Sequence, residues 1–412
     1  MLKLSLIIAD EDKAYIESLV GFLMDKHPHK FQINSFTNRD YLLEFLSKSR
    51  EKADILLITP DFHDRLKYNT LKSNVLEFNN IESTGLKSDI SEYRKPVLIF
   101  LSNTKSAFTS GTVDTIYKYQ HGDRLVSDII HIYEKQYKNI EFALKGPDKT
   151  KLISVYSPAG GTGKTTIAVN ACINCAREEM RVFYVNLETI GSTLCFFEHD
   201  YENRPYDNFS SVIFAIKEKD KNLHAKIEGI KFTDTMYDIH YIPPPDSALE
   251  MEEILPEEVR YFLNQVRSTG YYNIIFADLS SALSSKNIAV MEESDEIVLI
   301  YTPDCISKSK IISFYKEIQL YQKRKGLNLL NKITLILNKY DEHIPQEIKN
   351  EIDEVCSIMG ITHYIKIPMN NQVLYNQGTY LKGIVEESNS LNKELRKLTG
   401  KYTVRGDSDL FQ

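Results

Sequence analysis

The sequence predicts an α/β protein made of two doubly wound domains, of which the first is the smaller. Short, continuous apolar runs alternate with helical segments along most of the chain, the pattern of parallel strands buried on both faces. A glycine-rich turn at 158–163 follows one such run. The segment 138–150, which contains Gly146-Pro147, is predicted to be a linker. The predicted domains are therefore 1–137 and 151–412.

Composition narrows the class of protein. The 412 residues carry a net charge of −7, which does not favour general attraction to nucleic acid or anionic lipid. Five scattered cysteines fit a reducing compartment, and we interpret Cys172 and Cys175 as helix packing positions. The N-terminus lacks a signal-peptide pattern, and no apolar run reaches the ~18 residues of a membrane span. We therefore expect a cytoplasmic protein.

The first domain is predicted from apolar runs and helix faces. Strands are expected at 4–8, 31–36, 55–58 and 97–101. Helix faces are marked by Ile16, Leu19 and Leu23, by Leu42, Leu43 and Leu46, and by Leu125, Ile129 and Ile132. The stretch 62–95 is longer than one helix and its connections need, so we expect a short helix and a loop there.

Polar residues at the strand ends of this domain carry a family resemblance. Asp10, Glu11 and Asp12 follow the first strand, Ser102 ends the fourth, and Lys118 follows the apolar pair at 116–117. This arrangement resembles a response-regulator receiver, which implies an acidic magnesium pair, a hydroxyl and a lysine at those places.

The third strand departs from the receiver pattern. Thr59 stands where the resemblance places the phosphoacceptor aspartate, and Asp61 follows Pro60, in a loop and out of line. We therefore expect no aspartyl phosphorylation and interpret the domain as an interaction module. A phosphorelay regulator using Asp61 or Asp54 is kept as an alternative.

The second domain opens on a phosphate cradle. The apolar run 152–155 is a predicted strand, the glycines follow as a turn, and helical spacing begins after them. Glycine lets the backbone wrap phosphates, Lys164 can reach the β and γ phosphates, and the Thr165 hydroxyl can ligate magnesium. The loop residues predicted to bind a triphosphate are Ala159, Gly160, Gly161, Thr162, Gly163, Lys164, Thr165 and Thr166.

This loop resembles the deviant Walker A loop of the ParA/MinD superfamily. Members usually carry a lysine at the Ala159 position that reaches the nucleotide of a second subunit. Their next strand usually ends in the pattern D-x-D. Here those two positions are Asn186 and Glu188. We predict Lys164 and Glu188 as catalytic residues, with hydrolysis weakened by both departures, since a misplacement of ~1 Å can cost about 100-fold in rate.

Other elements of the second domain follow in order. Further strands are expected at 239–243, 274–278, 296–301, 333–337 and 363–367, with helices at 257–266, 307–323 and 384–398. Asp278 ends its strand at the Walker B position, where a carboxylate holds magnesium. The resemblance implies that Asn338, Lys339 and Pro368 border the adenine.

Two segments allow other interpretations. The basic run 321–325, YQKRK, could contact nucleic acid, but at a helix C-terminus we favour complementation of the dipole and exposure to solvent. The last helix is amphipathic as in a membrane-binding tail, yet Glu386 and Glu387 lie on it. We therefore expect it to pack on its domain, without direct membrane insertion.

A receiver-like domain without its aspartate, joined to a ParA/MinD-type ATPase, resembles the TadZ/CpaE proteins of the tight-adherence (Flp) pilus machinery. The resemblance implies a homodimer that binds ATP and Mg²⁺, localises to a site such as a cell pole, and recruits pilus secretion proteins through the receiver-like domain. A ParA-type DNA-partitioning ATPase is the alternative, against which the acidic net charge argues.

Overall fold

The computed structural model describes most of the chain. The described residues are 3–28, 30–48, 53–63, 96–104, 113–120, 122–136, 150–197, 208–220, 223–234, 236–369 and 389–402. They divide into two compact units, Met1–Lys145 and Gly146–Gln412. The predicted loop at 62–95, from residue 64 onward, and the predicted linker up to residue 149 lie outside the described residues.

The N-terminal unit contains one parallel sheet. Its strands are β1 (Leu4–Ala9), β2 (Phe31–Phe36), β3 (Ile55–Ile58), β4 (Val97–Ser102) and β5 (Asp114–Tyr117), in the order β2-β1-β3-β4-β5. Its helices are α1 (Lys13–Lys26), α2 (Arg39–Lys48) and α3 (Gly122–Gln136). The strand order reverses between β1 and β3, so the ends of these strands open on the crevice where doubly wound sheets place their sites.

The C-terminal unit is built on an eight-stranded sheet of order β13-β12-β11-β6-β10-β7-β9-β8, in which only the β8–β9 pair of the described residues is antiparallel. The strands are β6 (Lys151–Tyr156), β7 (Val182–Asn186), β8 (Phe232–Thr233), β9 (His240–Tyr241), β10 (Ile274–Asp278), β11 (Glu296–Tyr301), β12 (Ile333–Tyr340) and β13 (Ile365–Pro368). β6 is central, with β10 and β11 as its neighbours.

Helices cover both faces of this sheet. They are α4 (Lys164–Arg177), α5 (Phe209–Lys217), α6 (Leu223–Ile230), α7 (Ala248–Glu252), α8 (Pro256–Ser268), α9 (Ser285–Glu293), α10 (Cys305–Lys325), α11 (Gln346–Met359) and α12 (Asn389–Thr399), with 3-10 turns at Thr193–Cys195 and Leu330–Lys332. Alternate residues of β6 enter opposite layers: Leu152 and Tyr156 join one core, Ile153 and Val155 the other. This two-sided burial explains the unbroken apolar runs of the sequence.

The helix that follows the phosphate loop lies in the second of these cores. Cys172 and Cys175 on α4 are fully buried free thiols. Burial raises the pKa of the Cys172 thiol and brings that of Cys175 to about 12. Both thiols therefore stay protonated near neutral pH and pack as small apolar groups.

The last described helix packs against the same layer. Leu391, Leu395 and Leu398 of α12 are buried in the core that contains α4. The predicted helix start at 384 lies outside the described residues, whose helix begins at Asn389. Among the described helices, none combines the length and the apolar character that a membrane span requires.

Candidate functional site

The phosphate loop joins the end of β6 to the start of α4. Gly161 (φ 70°) and Gly163 (φ 89°) adopt left-handed backbone conformations that favour glycine. Gly163 is the N-cap of α4 and has no side chain to occupy the free N–H groups of the first turn. Apart from the adjacent residues of the chain, no atom of the described residues lies within 4 Å of a Cβ built at Gly160 or Gly161, so the loop has an open side. This geometry suits an anion at a helix N-terminus.

Lys164, the first residue of α4, is only 7% exposed, and its ammonium is held from two sides. Its Nζ donates a hydrogen bond to Ser281 Oγ at 2.9 Å and lies 3.6 Å from Glu188 Oε1. Ser281 Oγ in turn donates to the carbonyl of Ala159 at 3.0 Å. The predicted lysine, the predicted glutamate and the loop thus meet in one site.

Asp278, the last residue of β10, is fully buried beside them. Its Oδ2 accepts from the Tyr184 hydroxyl at 3.0 Å, whereas Oδ1 has no hydrogen-bond partner among the described residues. Burial, and then the Glu188 charge, raise the pKa of Asp278 to about 7, against the opposing effects of Thr165 and Lys164. A buried carboxylate oxygen without a partner, near a threonine hydroxyl, is a donor set that fits Mg²⁺.

The end of β7 orients the second carboxylate. Asn186 Oδ1 accepts from the Glu188 backbone amide at 2.8 Å, and its Nδ2 donates to the Tyr184 hydroxyl at 3.3 Å. Asn186 therefore holds the loop that carries Glu188 and links it to Asp278 through Tyr184. An asparagine at this position can do this while adding no negative charge to a site that already has two carboxylates.

On the other side of the loop, β12 and β13 provide the residues expected near the base. Asn338 and Lys339 donate to the carbonyls of Thr162 and Gly161, both at 2.7 Å. The sequence placed both residues, and Pro368, just past the ends of their strands; the structure includes them in β12 and β13. The difference arises because β12 extends beyond its apolar run, and Tyr340 pairs with Pro368.

Sequence reasoning missed two residues of the site. Ser281 accepts a hydrogen bond from Lys164, and Tyr184 donates one to the Asp278 carboxylate, but neither residue belongs to a motif. A hydroxyl three residues after Asp278 gives too weak a signal, and Tyr184 lies inside an apolar strand where an aromatic residue predicts only packing. The basic run at 321–325 is elsewhere, at the exposed C-terminal end of α10.

The N-terminal unit brings its own predicted residues together. Lys118 is buried, and its Nζ lies 2.6 Å from Asp10 Oδ2 and 3.2 Å from Asp12 Oδ2. Thr59 directly follows β3, and Asp61 is exposed in a helical turn at 60–63 rather than in an irregular loop. Pro60 is compatible with this because proline is tolerated in a first helical turn. Asp61 remains past the strand end.

The parallel sheet, the glycine loop at a helix N-terminus and the strand-end aspartate define a P-loop nucleotide-binding α/β protein. The model of the CobQ/CobB/MinD/ParA nucleotide-binding domain (CbiA) matches residues 153–379, more than half of the chain. The chain therefore belongs to this family. No curated protein matches the chain in sequence.

Solved structures resemble the chain at low sequence identity. A variant of McdA from Cyanothece in complex with ATP is 15% identical, over 64% of this chain and 100% of that one, and shares the fold with a TM-score of 0.51. A ParA family ATPase from Chlorobium tepidum TLS is 19% identical over 61% and 98% of the chains, with a TM-score of 0.49. MinD with Mg-ADP from Pyrococcus horikoshii OT3 is 19% identical over 63% and 98%, with a TM-score of 0.43.

Proposed function

We propose that the C-terminal domain binds a nucleoside triphosphate, ATP by its family resemblance, together with Mg²⁺. The observation that carries this proposal is the convergence of Lys164, Asp278 and the open glycine loop at one helix N-terminus. Thr165 and Asp278 would hold the metal, and Asn338, Lys339 and Pro368 would border the base. The magnesium ion would neutralise charge on the β and γ phosphates.

Hydrolysis is expected to be slow. Residue 159 is a buried alanine, so this chain lacks the lysine that ParA/MinD members extend to the partner's nucleotide. Glu188, the remaining candidate to orient the attacking water, is paired with Lys164 at 3.6 Å. Losing a cation supplied in trans can cost ~10³ to 10⁵ in rate. ATP would therefore join two subunits face to face in a long-lived dimer.

We further propose that this dimer is a localised platform of the TadZ/CpaE type for tight-adherence pilus assembly. The N-terminal unit supports a receiver-like role through its strand order β2-β1-β3-β4-β5 and the Asp10–Lys118 ion pair. Since Thr59 occupies the acceptor position, this unit would contribute protein contacts rather than phosphotransfer. Its partners would be the pilus secretion proteins, at a site such as a cell pole.

The dimer proposal predicts slow single-turnover hydrolysis that responds to two substitutions in opposite directions. Glu188→Ala is expected to abolish the remaining turnover, and Ala159→Lys to raise the rate by about tenfold or more, because it restores a cation at the partner's phosphates. The measurement is the fraction of bound ATP cleaved over time with Mg²⁺, alongside the mass of the complex in solution.

Two results would count against the proposal. A dimer whose formation does not depend on ATP would remove the nucleotide from assembly. Wild-type turnover as fast as that of Ala159→Lys would show that the missing lysine does not limit the reaction. Asp341→Ala, which alters an exposed carboxylate outside the loop, serves as the matched control for Glu188→Ala.

The receiver-like unit is expected to resist a small phosphodonor. Incubation with acetyl phosphate and Mg²⁺ should give no covalent phosphoryl adduct by intact mass, since Thr59 is not an acylphosphate-forming side chain and Asp61 lies past the strand end. Thr59→Asp, which restores the carboxylate, is the informative comparison. An adduct on the wild type that Asp61→Asn removes would revive the phosphorelay alternative.

A further inference from the structure

Two neighbouring side chains at the end of β12 bind neighbouring carbonyls of the phosphate loop. Asn338 Nδ2 donates to Thr162 O and Lys339 Nζ to Gly161 O, each at 2.7 Å. Successive side chains of a regular strand point to opposite faces of the sheet. For both to reach the same loop, the strand must depart from regular geometry between them.

The structure shows that departure. The pairing of β12 with β13 shifts register between Leu337 and Tyr340, as at a β-bulge, and Lys339 has a left-handed backbone with φ 56°. A lysine disfavours this conformation, and bulges beside active sites commonly re-aim a side chain. A strained residue whose side chain ends on the phosphate loop indicates a functional constraint.

The loop accommodates this approach. A Cβ built at Gly163 would lie 2.6 Å from Asn338 Nδ2, so the glycine leaves room for the amide as well as supplying its own left-handed turn. Asn338 is 9% exposed, and its Nδ2 contact spans 176 residues of sequence. The loop and the end of β12 therefore fit together through hydrogen bonds rather than through the packing of apolar side chains.

We infer that Asn338 and Lys339 are positioning residues that hold the phosphate loop in its phosphate-receiving shape. A peptide unit is planar, with its C=O and N–H pointing in opposite directions. Fixing the carbonyls of Gly161 and Thr162 on the β12 side therefore turns the amides of Thr162 and Gly163 away from it, toward the cradle. Lys339 also brings an ammonium to a loop that has alanine at position 159.

This inference rests on the proposed nucleotide function, and it predicts which affinities change. Loop amides cradle the α and β phosphates, which ADP and ATP share. Losing either of the hydrogen bonds from Asn338 and Lys339 to the loop should therefore weaken the binding of ATP and of ADP by a similar factor. For Lys339→Met, which keeps the stem and removes the charge, we expect about a tenfold rise in the dissociation constants of ATP and ADP, or ~1.4 kcal/mol.

The test compares Lys339→Met with Lys366→Met by titrating ATP and ADP with Mg²⁺. Lys366 is an exposed lysine of the adjacent strand β13 whose Nζ lies over the rings of Tyr340 and Tyr364. Its removal changes the net charge equally without touching the loop, so both affinities should stay within about twofold of the wild type. Lys339→Arg should recover most of the affinity, because the guanidinium can still donate to the Gly161 carbonyl.

A second variant separates positioning from folding. Lys339→Gly removes the ammonium and also relieves the left-handed strain, so its unfolding midpoint without nucleotide should not fall, while both affinities drop as in Lys339→Met. Unchanged affinities in folded Lys339→Met would overturn the inference. So would a loss confined to ATP, which would indicate a γ-phosphate contact, and so would a loss that inorganic triphosphate, which has no base, does not share, since that would indicate a base contact. Wild-type protein that binds neither nucleotide would contradict the proposed function itself, and this inference with it.

Discussion

Replacing Lys164 with alanine is expected to weaken ATP binding on the order of 100-fold and to abolish ATP-dependent dimerisation. Lys164 is the buried cation at the start of α4, and truncating one partner of a desolvated charge pair typically costs ~2 to 5 kcal/mol. The measurement is the dissociation constant for ATP with Mg²⁺, together with the mass of the complex in solution.

Two comparisons make the Lys164 result specific. Lys308→Ala removes a lysine that pairs at 2.7 Å with Glu354 of α11 rather than with a residue of the phosphate loop, and it should leave affinity unchanged. Ser281→Ala removes only the hydroxyl that orients Lys164 and should give a smaller loss, about tenfold or less. If Lys164→Ala remained folded and bound ATP as the wild type does, the phosphate loop would not be the nucleotide site.

Replacing Asp278 with asparagine is expected to stabilise the nucleotide-free protein at alkaline pH while removing its response to Mg²⁺. Burial is the main reason that the pKa of Asp278 rises from the ordinary value of 3.8 to about 7. One pKa unit corresponds to ~1.4 kcal/mol, so ionising this carboxyl costs ~4 kcal/mol more in the folded protein than in the unfolded chain. A neutral amide avoids that cost but is a poor magnesium ligand.

The pH dependence follows from the direction of the shift. Between pH ~4 and ~7 the folded protein retains a proton that the unfolded chain has lost, so the free energy of unfolding falls as pH rises through this window. Above about pH 7 both states are ionised, and the cost is constant. The stability advantage of Asp278→Asn should therefore grow by about 2 to 3 kcal/mol between about pH 5 and pH 8 in urea titrations with a chelator.

Tyr184→Phe provides the control for this prediction. The Tyr184 hydroxyl donates to Asp278 Oδ2 at 3.0 Å and lowers the pKa of the carboxyl, so its loss should make the ionised form still less favourable. Tyr184→Phe should therefore lose stability mainly above pH ~7. A constant difference between Asp278→Asn and the wild type at every pH would mean that Asp278 does not titrate with a raised pKa.

Much of the fold could be predicted because its signals are local. Parallel strands buried on both faces must be apolar throughout, so β6, β10 and β11 stand out as runs that alternate residues between two cores. The phosphate loop could be predicted for a similar reason: the glycines, Lys164 and Thr165 are contiguous, and only certain residues permit a backbone to wrap an anion. The position of Asp278 at the end of β10 could also be predicted, because the apolar run of the strand stops there.

The tertiary structure alone decided how these residues are held. Ser281 reaches Lys164 across 117 positions, and Lys339 reaches the Gly161 carbonyl across 178. Their residue types are common in strand ends and loops, so no local pattern distinguishes them. The register shift that flanks Lys339 depends on the pairing of β12 with β13. The loop can therefore be recognised from consecutive residues. How it is held depends on side chains that only folding brings within hydrogen-bond distance.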